Sequence, residues 1–319
     1  MTAHLSSRRS FLHAAGLLSG SALLVRYAPD GRLDAFQANP LEARRAQMAA
    51  APIVTTRLTD RLAMLSGAGG NVIVFHGPDG KIVVDGFVKP AWPKLKAALD
   101  AIDGGSPTKS IIDTHWHFDH ADNNGNFRLA GAGVIAHENT KTRLMQPHDL
   151  LGMHFDPVRS GELPTQTFAS GLTLNYNGEQ VRLTHVAPAH TDTDIFVFFP
   201  KANVLHMGDV FFNGRYPFID ASTGGHIDGM IAGVRAAGEF VTAQTKIVPG
   251  HGPLGTRASL DDYVHMLARI RDNVKALKAA GKSLADVQAA KPSSEFDPAW
   301  GTGGMGPDDF VALVYNTLG

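Results

Sequence analysis

The six residues 115–120 constrain the fold of this chain more than any other part of its sequence. They read His-Trp-His-Phe-Asp-His, and three imidazoles with a carboxylate so close together suit metal coordination better than a hydrophobic core. The preceding pair Ile111-Ile112 is typical of the end of a buried strand, so the six residues are predicted to form the loop that follows it. A solvated histidine-rich loop is the alternative, but motif and context together favour a metal site.

The residue types at this loop indicate which cation it would bind. Borderline cations such as Zn²⁺ bind neutral imidazole nitrogen and carboxylate oxygen, and a catalytic site uses about three protein ligands with one position left for water. His115 and His117 can share one ion. Asp119 and His120 then remain for a second ion.

The stretch resembles the His-x-His-x-Asp-His signature of the metallo-β-lactamase superfamily of hydrolases, and the similarity extends over about residues 55–255. This resemblance implies an α/β fold, an αββα sandwich of two mixed β-sheets flanked by helices, with the metals at one edge. It also implies three further ligands in order: a histidine after a strand, an aspartate at the end of the next strand, and a histidine beside glycine. His190, Asp209 and His251 occupy these positions.

The resemblance divides the seven candidate ligands between two ions. Asp209 is the bridging ligand, since one carboxylate can lend oxygen to two ions about 3.5–4 Å apart. The other six form two sets of three, namely His115, His117 and His190 for the first ion and Asp119, His120 and His251 for the second. The predicted cofactors are therefore two Zn²⁺ per chain, with iron or mixed metals as alternatives.

The implied activity is hydrolysis by a metal-bound hydroxide, because such ions lower the pKa of water from 15.7 to about 7. Asp119 is the predicted catalytic residue, which carries a proton from the attacking water to the leaving group. The ligands include no cysteine, and Asp209 stands where true β-lactamases usually lack a bridging acid. Both departures favour a carboxylic ester, lactone or thioester over a lactam.

Three other functions remain open from the sequence alone. One is a β-lactamase proper, which would hydrolyse antibiotics. Another comes from a different class: relatives with the same motif hold a single iron and oxidise persulfides, so a mononuclear iron persulfide dioxygenase is an alternative. The third is a non-catalytic metal-binding protein, which open sites of this kind disfavour.

Several residues near the motif have two possible uses each. Arg215 and Tyr216 follow Asp209 and are candidates to bind a substrate carboxylate or steady an oxyanion, with ordinary loop packing as the alternative. Asp192 and Asp194 either orient ligand imidazoles or cap a turn, and capping is the commoner use. The segment 145–167 shows no clear period, so it is either a mobile flap or an irregular loop.

The first 37 residues are predicted to be an export signal and leader. Arg8 and Arg9 precede a short apolar run from Ala14 to Val25, the layout of a twin-arginine signal. That run is too short for a convincing bilayer span, which needs about 20 apolar residues; a membrane anchor is the alternative. The expected location is the periplasm, and the expected partners are the twin-arginine export machinery and a small-molecule substrate.

Residues 38–319 are predicted to be a single hydrolase domain, with a core at about 55–255 and a C-terminal helical extension at 256–319. The sequence has no cysteine, so neither a disulfide nor a thiolate contributes. Its formal net charge of −1 gives no electrostatic reason to expect nucleic acid as a partner. The Gly-x-Gly-x-x-Gly spacing at 301–306 lacks a preceding strand, so no dinucleotide site is predicted.

Hydrophobic periodicity and turn residues place the main elements. Strands are predicted at 56–65, 71–75, 81–85, 172–175 and 180–186. Helices are predicted at 90–102, 259–280 and 307–318. His226 is predicted to cap a helix that follows it.

Overall fold

A computed structural model describes residues 39–318 and the backbone of two short paired strands, β1 (Leu24–Tyr27) and β2 (Leu33–Phe36). Apart from these two strands, the predicted leader lies outside the described residues. The remaining strands are β3 (Val54–Arg57), β4 (Leu62–Ser66), β5 (Val72–Gly77), β6 (Gly80–Val84), β7 (Thr108–Ile112), β8 (Gly133–His137), β9 (His148–Leu150), β10 (Met153–Phe155), β11 (Gln166–Phe168), β12 (Gly171–Tyr176), β13 (Glu179–His185), β14 (Ile195–Phe199), β15 (Val204–His206) and β16 (Lys246–Val248).

The helices are α1 (Pro40–Ala50), α2 (Trp92–Asp103), α3 (Phe118–Ala121), α4 (Asn124–Leu129), α5 (Glu138–Leu144), α6 (Ile227–Ala237), α7 (Arg257–Ala279), α8 (Leu284–Ala289), α9 (Asp297–Trp300) and α10 (Pro307–Thr317). Short 3₁₀ turns lie at Lys89–Ala91, Ser160–Glu162, Gly208–Val210 and Ala221–Thr223. No helix within residues 39–318 is both long enough and apolar enough to cross a bilayer.

Two mixed sheets form the centre of the molecule. The first has the strand order β11-β8-β7-β6-β5-β4-β3, with parallel pairing from β11 to β6 and antiparallel pairing from β6 to β3. The second has the order β12-β13-β14-β15-β16 and is antiparallel except for the last pair. The predicted αββα sandwich of two mixed sheets is thus confirmed.

The sheets pack face to face through apolar side chains that alternate along their strands. Phe75 of β5 meets Phe199 of β14 edge-on, with ring centroids 5.4 Å apart. The same buried layer includes Ile73, Val84 and Val197. The residues between them, such as Val74 and Val83, face the helices on the other side of the first sheet, so its central strands are buried on both faces.

Helices cover both outer faces of the sandwich. Leu95 and Leu99 of α2 are buried against the first sheet, and α2 ends at Gly104, whose φ is 75°. The second sheet is covered by α6, α7 and α10, where α7 begins with a capping box between Thr256 and Ser259. His226 accepts a hydrogen bond from the backbone N–H of Gly229, so the predicted cap of α6 is confirmed.

Two sequence predictions for elements differ from the structure. The single strand at 56–65 is wrong, because the chain turns at 58–61, where the Thr59 hydroxyl accepts hydrogen bonds from the N–H groups of Arg61 and Leu62. No glycine or proline marks that turn. The segment 145–167 is also more regular than expected, since β9 and β10 form a hairpin and β11 joins the first sheet.

Candidate metal centre

All seven candidate ligands follow strand ends at one edge of the sandwich. The first four come from the loop after β7 and from α3, while the other three come from loops after β13, β15 and β16. The backbone joins the two sheets here, because the N–H of Ile195 donates to the carbonyl of Thr114 over 2.9 Å. Asn71 makes a second link, with its side-chain amide donating to the carbonyls of Pro249 and Gly252 on either side of His251.

The structure brings the seven side chains into two adjoining clusters. Within each cluster the candidate ligand atoms all lie within 4.8 Å of one another. The first cluster contains His115, His117, His190 and Asp209, and the second contains Asp119, His120 and His251. The first cluster thus contains the three residues of the first predicted set together with Asp209, and the second contains the three residues of the second set.

Asp209 lies between the two clusters. Its Oδ2 is 3.6 Å from Nε2 of His190 and 3.9 Å from Nε2 of His115 in the first cluster. Toward the second cluster, its Oδ1 is 3.2 Å from Nε2 of His120 and its Oδ2 is 3.3 Å from Nε2 of His251. One carboxylate therefore faces both sets of imidazoles.

The outward-facing nitrogen of three imidazoles is held by an acceptor. Nε2 of His117 contacts Oδ2 of Asp220 at 3.2 Å, and Nδ1 of His120 contacts Oδ2 of Asp85 at 2.7 Å. Nδ1–H of His190 donates to the carbonyl of Phe218 over 2.8 Å. Metal-binding histidines in proteins are oriented in this way, and the contact fixes the tautomer that leaves the other nitrogen free for a cation.

Several polar atoms at the centre of the site make no well-directed hydrogen bond to another group within residues 39–318, although two of them lie close to each other. They are Nε2 of His115, Nε2 of His120 and Oδ1 of Asp209, all buried. In the first cluster, Nδ1 of His117 and Nε2 of His190 face each other at 2.9 Å. Buried polar atoms are nearly always satisfied, so these donor atoms fit divalent cations placed between them.

Burial and neighbouring charges shift the pKa values of His115, His190 and Asp209 in directions that suit ligation, whereas nearby carboxylates outweigh burial and raise the pKa of His251 to about 9 and that of His120 well above its usual range. Burial lowers the pKa of His190 to about 4. Burial, followed by the charge on His120, also lowers the pKa of His115 well below its usual range, so both imidazoles are neutral near pH 7. Burial opposes ionisation of Asp209, but His251, His120 and His115 outweigh it and hold the pKa of Asp209 well below its usual range.

Glycines allow the backbone to approach the ligands closely. A Cβ atom on Gly250 would lie 1.9 Å from Oδ1 of Asp209, and one on Gly70 would lie 2.2 Å from Cε1 of His120. Neither position has space for a side chain. The loops that carry these glycines therefore press the ligand side chains into place.

The other candidate residues lie in two places: Arg215 and Tyr216 border the cavity in front of the clusters, and Asp192 and Asp194 lie in the turn beside His190. Tyr216 is buried, its ring stacks on Phe310 at 4.6 Å, and its hydroxyl donates to Oδ1 of Asp297 over 2.7 Å. Arg215 is partly exposed and lines the cavity in front of the clusters. Asp194 accepts from the N–H groups of His190 and Thr191, which is a turn cap.

The remaining acid, Asp192, forms a bidentate ion pair with Arg143. It does not contact a ligand imidazole through its carboxylate. Both aspartates of this turn therefore act as caps or ion-pair partners.

Sequence reasoning missed two carboxylates that contact the ligands. Asp85 directly follows β6, which neighbours β7 in the sheet, so adjacent strand ends were a usable signal. Its two oxygens also accept from the N–H and the hydroxyl of Thr114. Asp220 has no such signal, because it lies in a loop whose path depends on its contacts with Ser222, Thr223 and His117.

A cavity of about 640 Å³ opens onto both clusters. His117, Asp119, Asp209 and His251 form its floor. The side chain of His251 is 17% exposed, which makes the second cluster the more accessible one. A small molecule can therefore reach the ligand atoms.

The sequence was compared with protein-family models. The model described as the metallo-beta-lactamase superfamily matches residues 65–269. This range contains all seven candidate ligands. It leaves out α1 at one end and α8, α9 and α10 at the other.

The fold is also similar to solved structures. A metallo-beta-lactamase from Pontibacter korlensis has a TM-score of 0.55 and 16% sequence identity, over 68% of this chain and 99% of that chain. The DIM-1 metallo-beta-lactamase has a TM-score of 0.55 and 18% identity, over 68% and 97%. The IND-7 metallo-beta-lactamase has the same score and identity, over 68% and 98%. At these identities the likeness shows the fold.

Proposed function

Because this chain belongs to the metallo-beta-lactamase superfamily, we propose that it is a dinuclear zinc-dependent hydrolase of a carboxylic ester, lactone, thioester or lactam. The observation that carries this proposal is the position of Asp209. Its carboxylate faces both clusters of imidazoles, with four contacts between 3.2 and 3.9 Å. A bridging acid of this kind suits two ions better than one.

In this proposal the ligands divide as their clusters do. One ion is held by His115, His117 and His190, the other by Asp119, His120 and His251, and Asp209 joins both. When bound, two such ions supply an activated water and polarise the bond to be cleaved. Asp85 and Asp220 hold the imidazoles of His120 and His117 in the orientation that ligation needs.

Asp119 is the proposed proton carrier. It lines the cavity, and its Oδ2 is 3.3 Å from Nε2 of His251. Burial opposes its ionisation, but His120 and His251 outweigh burial and lower the pKa of Asp119 to about 2. The carboxylate is thus ionised near pH 7 and can accept a proton from water and pass it to the leaving group.

Arg215 is proposed to contact the substrate. It lines the cavity, and no carboxylate among residues 39–318 lies within ion-pair distance of it. Its guanidinium is therefore available to a substrate carboxylate or to a developing oxyanion. We expect Arg215→Ala to raise KM for an anionic substrate more than for a neutral one.

Metal analysis and substrate turnover test the proposal together. Purified protein should hold two zinc ions per chain, and the loaded protein should hydrolyse at least one class in a panel of lactones, thioesters, esters and β-lactams. His117→Ala should lose most of that activity. Full activity in this variant would contradict the site assignment.

The same experiment separates the alternative activities. One iron per chain, with oxygen uptake in the presence of a persulfide, would replace the hydrolase proposal by a dioxygenase. Turnover of β-lactams alone would identify a β-lactamase proper. Relatives with a single iron carry the same motif, so the metal content and the reaction, and not the residues of the second cluster, separate the two activities.

We also propose that the protein is exported to the periplasm through the twin-arginine pathway. The support is the sequence of the leader, with Arg8 and Arg9 before an apolar run. Replacement of both arginines by lysine should retain the protein in the cytoplasm of a host that has this pathway. Unchanged periplasmic recovery of that variant would contradict the proposal.

A further inference from the structure

The cavity above the candidate metal centre is walled by parts of the chain that lie outside the family match. Met48 of α1 lines one side, and Met305 and Leu313 of the C-terminal segment line another. The tip of the β9–β10 hairpin provides a third wall. The metal ligands belong to the shared core, whereas two of the three walls are additions carried by this chain.

The tip of the β9–β10 hairpin carries an apolar side chain that is exposed to solvent at the edge of the cavity. Leu151 is 67% exposed, although it lines the cavity, and its φ is 52°, a left-handed conformation that leucine rarely adopts. Gly152 follows with a φ of 73°, so the two residues form the tight turn of the hairpin. Leu151 therefore presents an exposed apolar side chain to the cavity from a backbone conformation that costs free energy.

The walls are anchored by buried apolar contacts. Leu150 and Met153 pair across the hairpin and are buried in a cluster with Trp116 and Phe155. On the other wall, α10 is held by the stacking of Phe310 on Tyr216 and by the packing of Leu313 on the apolar core between the second sheet and its helices. Leu151 and Leu313 therefore stand on elements that pack against the rest of the protein, which lowers the cost of ordering them around a ligand.

We propose that these walls bind an aliphatic acyl group, so that the substrate is an acyl compound whose reacting carbonyl lies at the metal centre. This inference rests on the proposed function, and it adds the substrate class. The floor of the cavity supplies the polar ligand atoms, while Met48, Leu151, Met153, Phe212, Met305 and Leu313 supply apolar surface. An aliphatic chain fits such a surface, since each methylene group that it buries favours binding.

The direct test is binding of two carboxylates, octanoate and acetate, to the zinc-loaded protein by calorimetry. Both present the same head group, so their difference measures the apolar walls alone. Octanoate should bind more than about tenfold tighter than acetate, with a negative heat-capacity change. Equal affinities would overturn the proposal.

Variants of the wall residues test whether the alkyl chain of octanoate binds at the proposed walls. Leu151→Ser and Leu313→Ser should each weaken octanoate binding about three- to tenfold and leave acetate within about twofold. Leu129→Ser is the matched control, because Leu129 is 89% exposed and does not line the cavity. If Leu151→Ser and Leu313→Ser behave like Leu129→Ser, the assigned walls are wrong. Far-ultraviolet circular dichroism confirms that each variant is folded.

Hydrolysis of 4-nitrophenyl octanoate and 4-nitrophenyl acetate provides a separate measurement. A higher kcat/KM for the octanoyl ester, reduced in Leu151→Ser, supports both the function and its substrate class. Hydrolysis without a preference for the longer chain contradicts the acyl proposal only. Octanoate binding without hydrolysis of any substrate supports the acyl cavity and contradicts the proposed hydrolase.

Discussion

At the scale of single residues, the contact of one imidazole nitrogen determines what the other nitrogen can do. Asp220 holds Nε2 of His117 at 3.2 Å, so Nδ1 of His117 faces the centre of the site. For His190 the carbonyl of Phe218 holds Nδ1, so Nε2 faces the centre. Asp220 and Phe218 would not contact a cation themselves, but they determine which nitrogen of His117 and of His190 is available to one.

We predict that Asp220→Asn weakens zinc binding by about 10–100-fold, because loss of the carboxylate makes His117 a weaker and less well oriented ligand. Competition with a chelating dye measures the affinity. The control is Asp228→Asn, since Asp228 pairs with Arg271 on the surface of α6. Equal zinc affinities in the two variants would show that Asp220 does not orient a ligand.

We predict that Gly250→Ala abolishes zinc binding at Asp209. The added Cβ would lie 1.9 Å from Oδ1 of Asp209 and 2.7 Å from the backbone of Gly208, so the carboxylate must move. Gly281→Ala is a suitable control for glycine replacement, because nothing lies within 4 Å of a Cβ at that position, although its φ of 75° makes it mildly strained. Zinc stoichiometry by mass spectrometry of the native protein compares the two. A full complement of zinc in Gly250→Ala would contradict the proposed position of Asp209.

The sequence predicted which residues converge better than how they are oriented. All seven candidate ligands belong to a motif with a fixed order along the chain, so their positions follow from the pattern and from the strand ends. Asp220 belongs to no motif and reaches His117 across 103 positions of sequence. Contacts of that kind depend on the path of a loop, which local sequence does not specify.

At the scale of elements, the loop after Asp209 connects the metal centre to the C-terminal helices. Tyr216 donates its backbone N–H to the carbonyl of Trp300 and its hydroxyl to Asp297, and its ring stacks on Phe310. Burial, together with Asp297, raises the pKa of the Tyr216 hydroxyl, so it remains a donor. Tyr216, which the sequence offered as a substrate ligand, thus fastens α9 and α10 and also borders the cavity.

We predict that Tyr216→Phe lowers the free energy of unfolding by about 1 kcal/mol, because the carboxylate of Asp297 loses one hydrogen bond. Zinc affinity and KM should stay within about twofold of the parent values. Urea denaturation and steady-state kinetics provide the two measurements. A large rise in KM with unchanged stability would instead support the substrate role.

The sequence predicted those strand boundaries that glycine, proline or aspartate marks as turns. It did not predict boundaries at turns made of other residues. Gly77-Pro78-Asp79-Gly80 marks the hairpin between β5 and β6. The turn of the β9–β10 hairpin begins with Leu151 at positive φ, where asparagine or glycine is usual. The turn at 58–61 depends on the Thr59 side chain, which also gives a weak signal.

At the scale of the whole molecule, each candidate metal cluster takes ligands from both sheets. His115 and His117 follow β7 of the first sheet, whereas His190 and Asp209 follow strands of the second. The second cluster likewise combines Asp119 and His120 with His251. A cation in either cluster would therefore join the two sheets at their shared edge.

We predict that zinc stabilises the fold as well as the site. A ligand that binds only the folded state at 100 times its Kd adds about 2.7 kcal/mol to the free energy of unfolding. The thermal midpoint should therefore rise with zinc and fall with a chelator. The variant His117→Ala should show a smaller rise. A midpoint that is independent of zinc would mean that the ion does not join the sheets.

The position of the metals themselves tests the central claim most directly. Crystals grown with zinc and measured on both sides of the zinc absorption edge would show each ion as an anomalous peak. We predict two peaks about 3.5–4 Å apart, with Asp209 contacting both and with His115, His117 and His190 around one and Asp119, His120 and His251 around the other. A single peak, or peaks away from Asp209, would contradict the dinuclear centre.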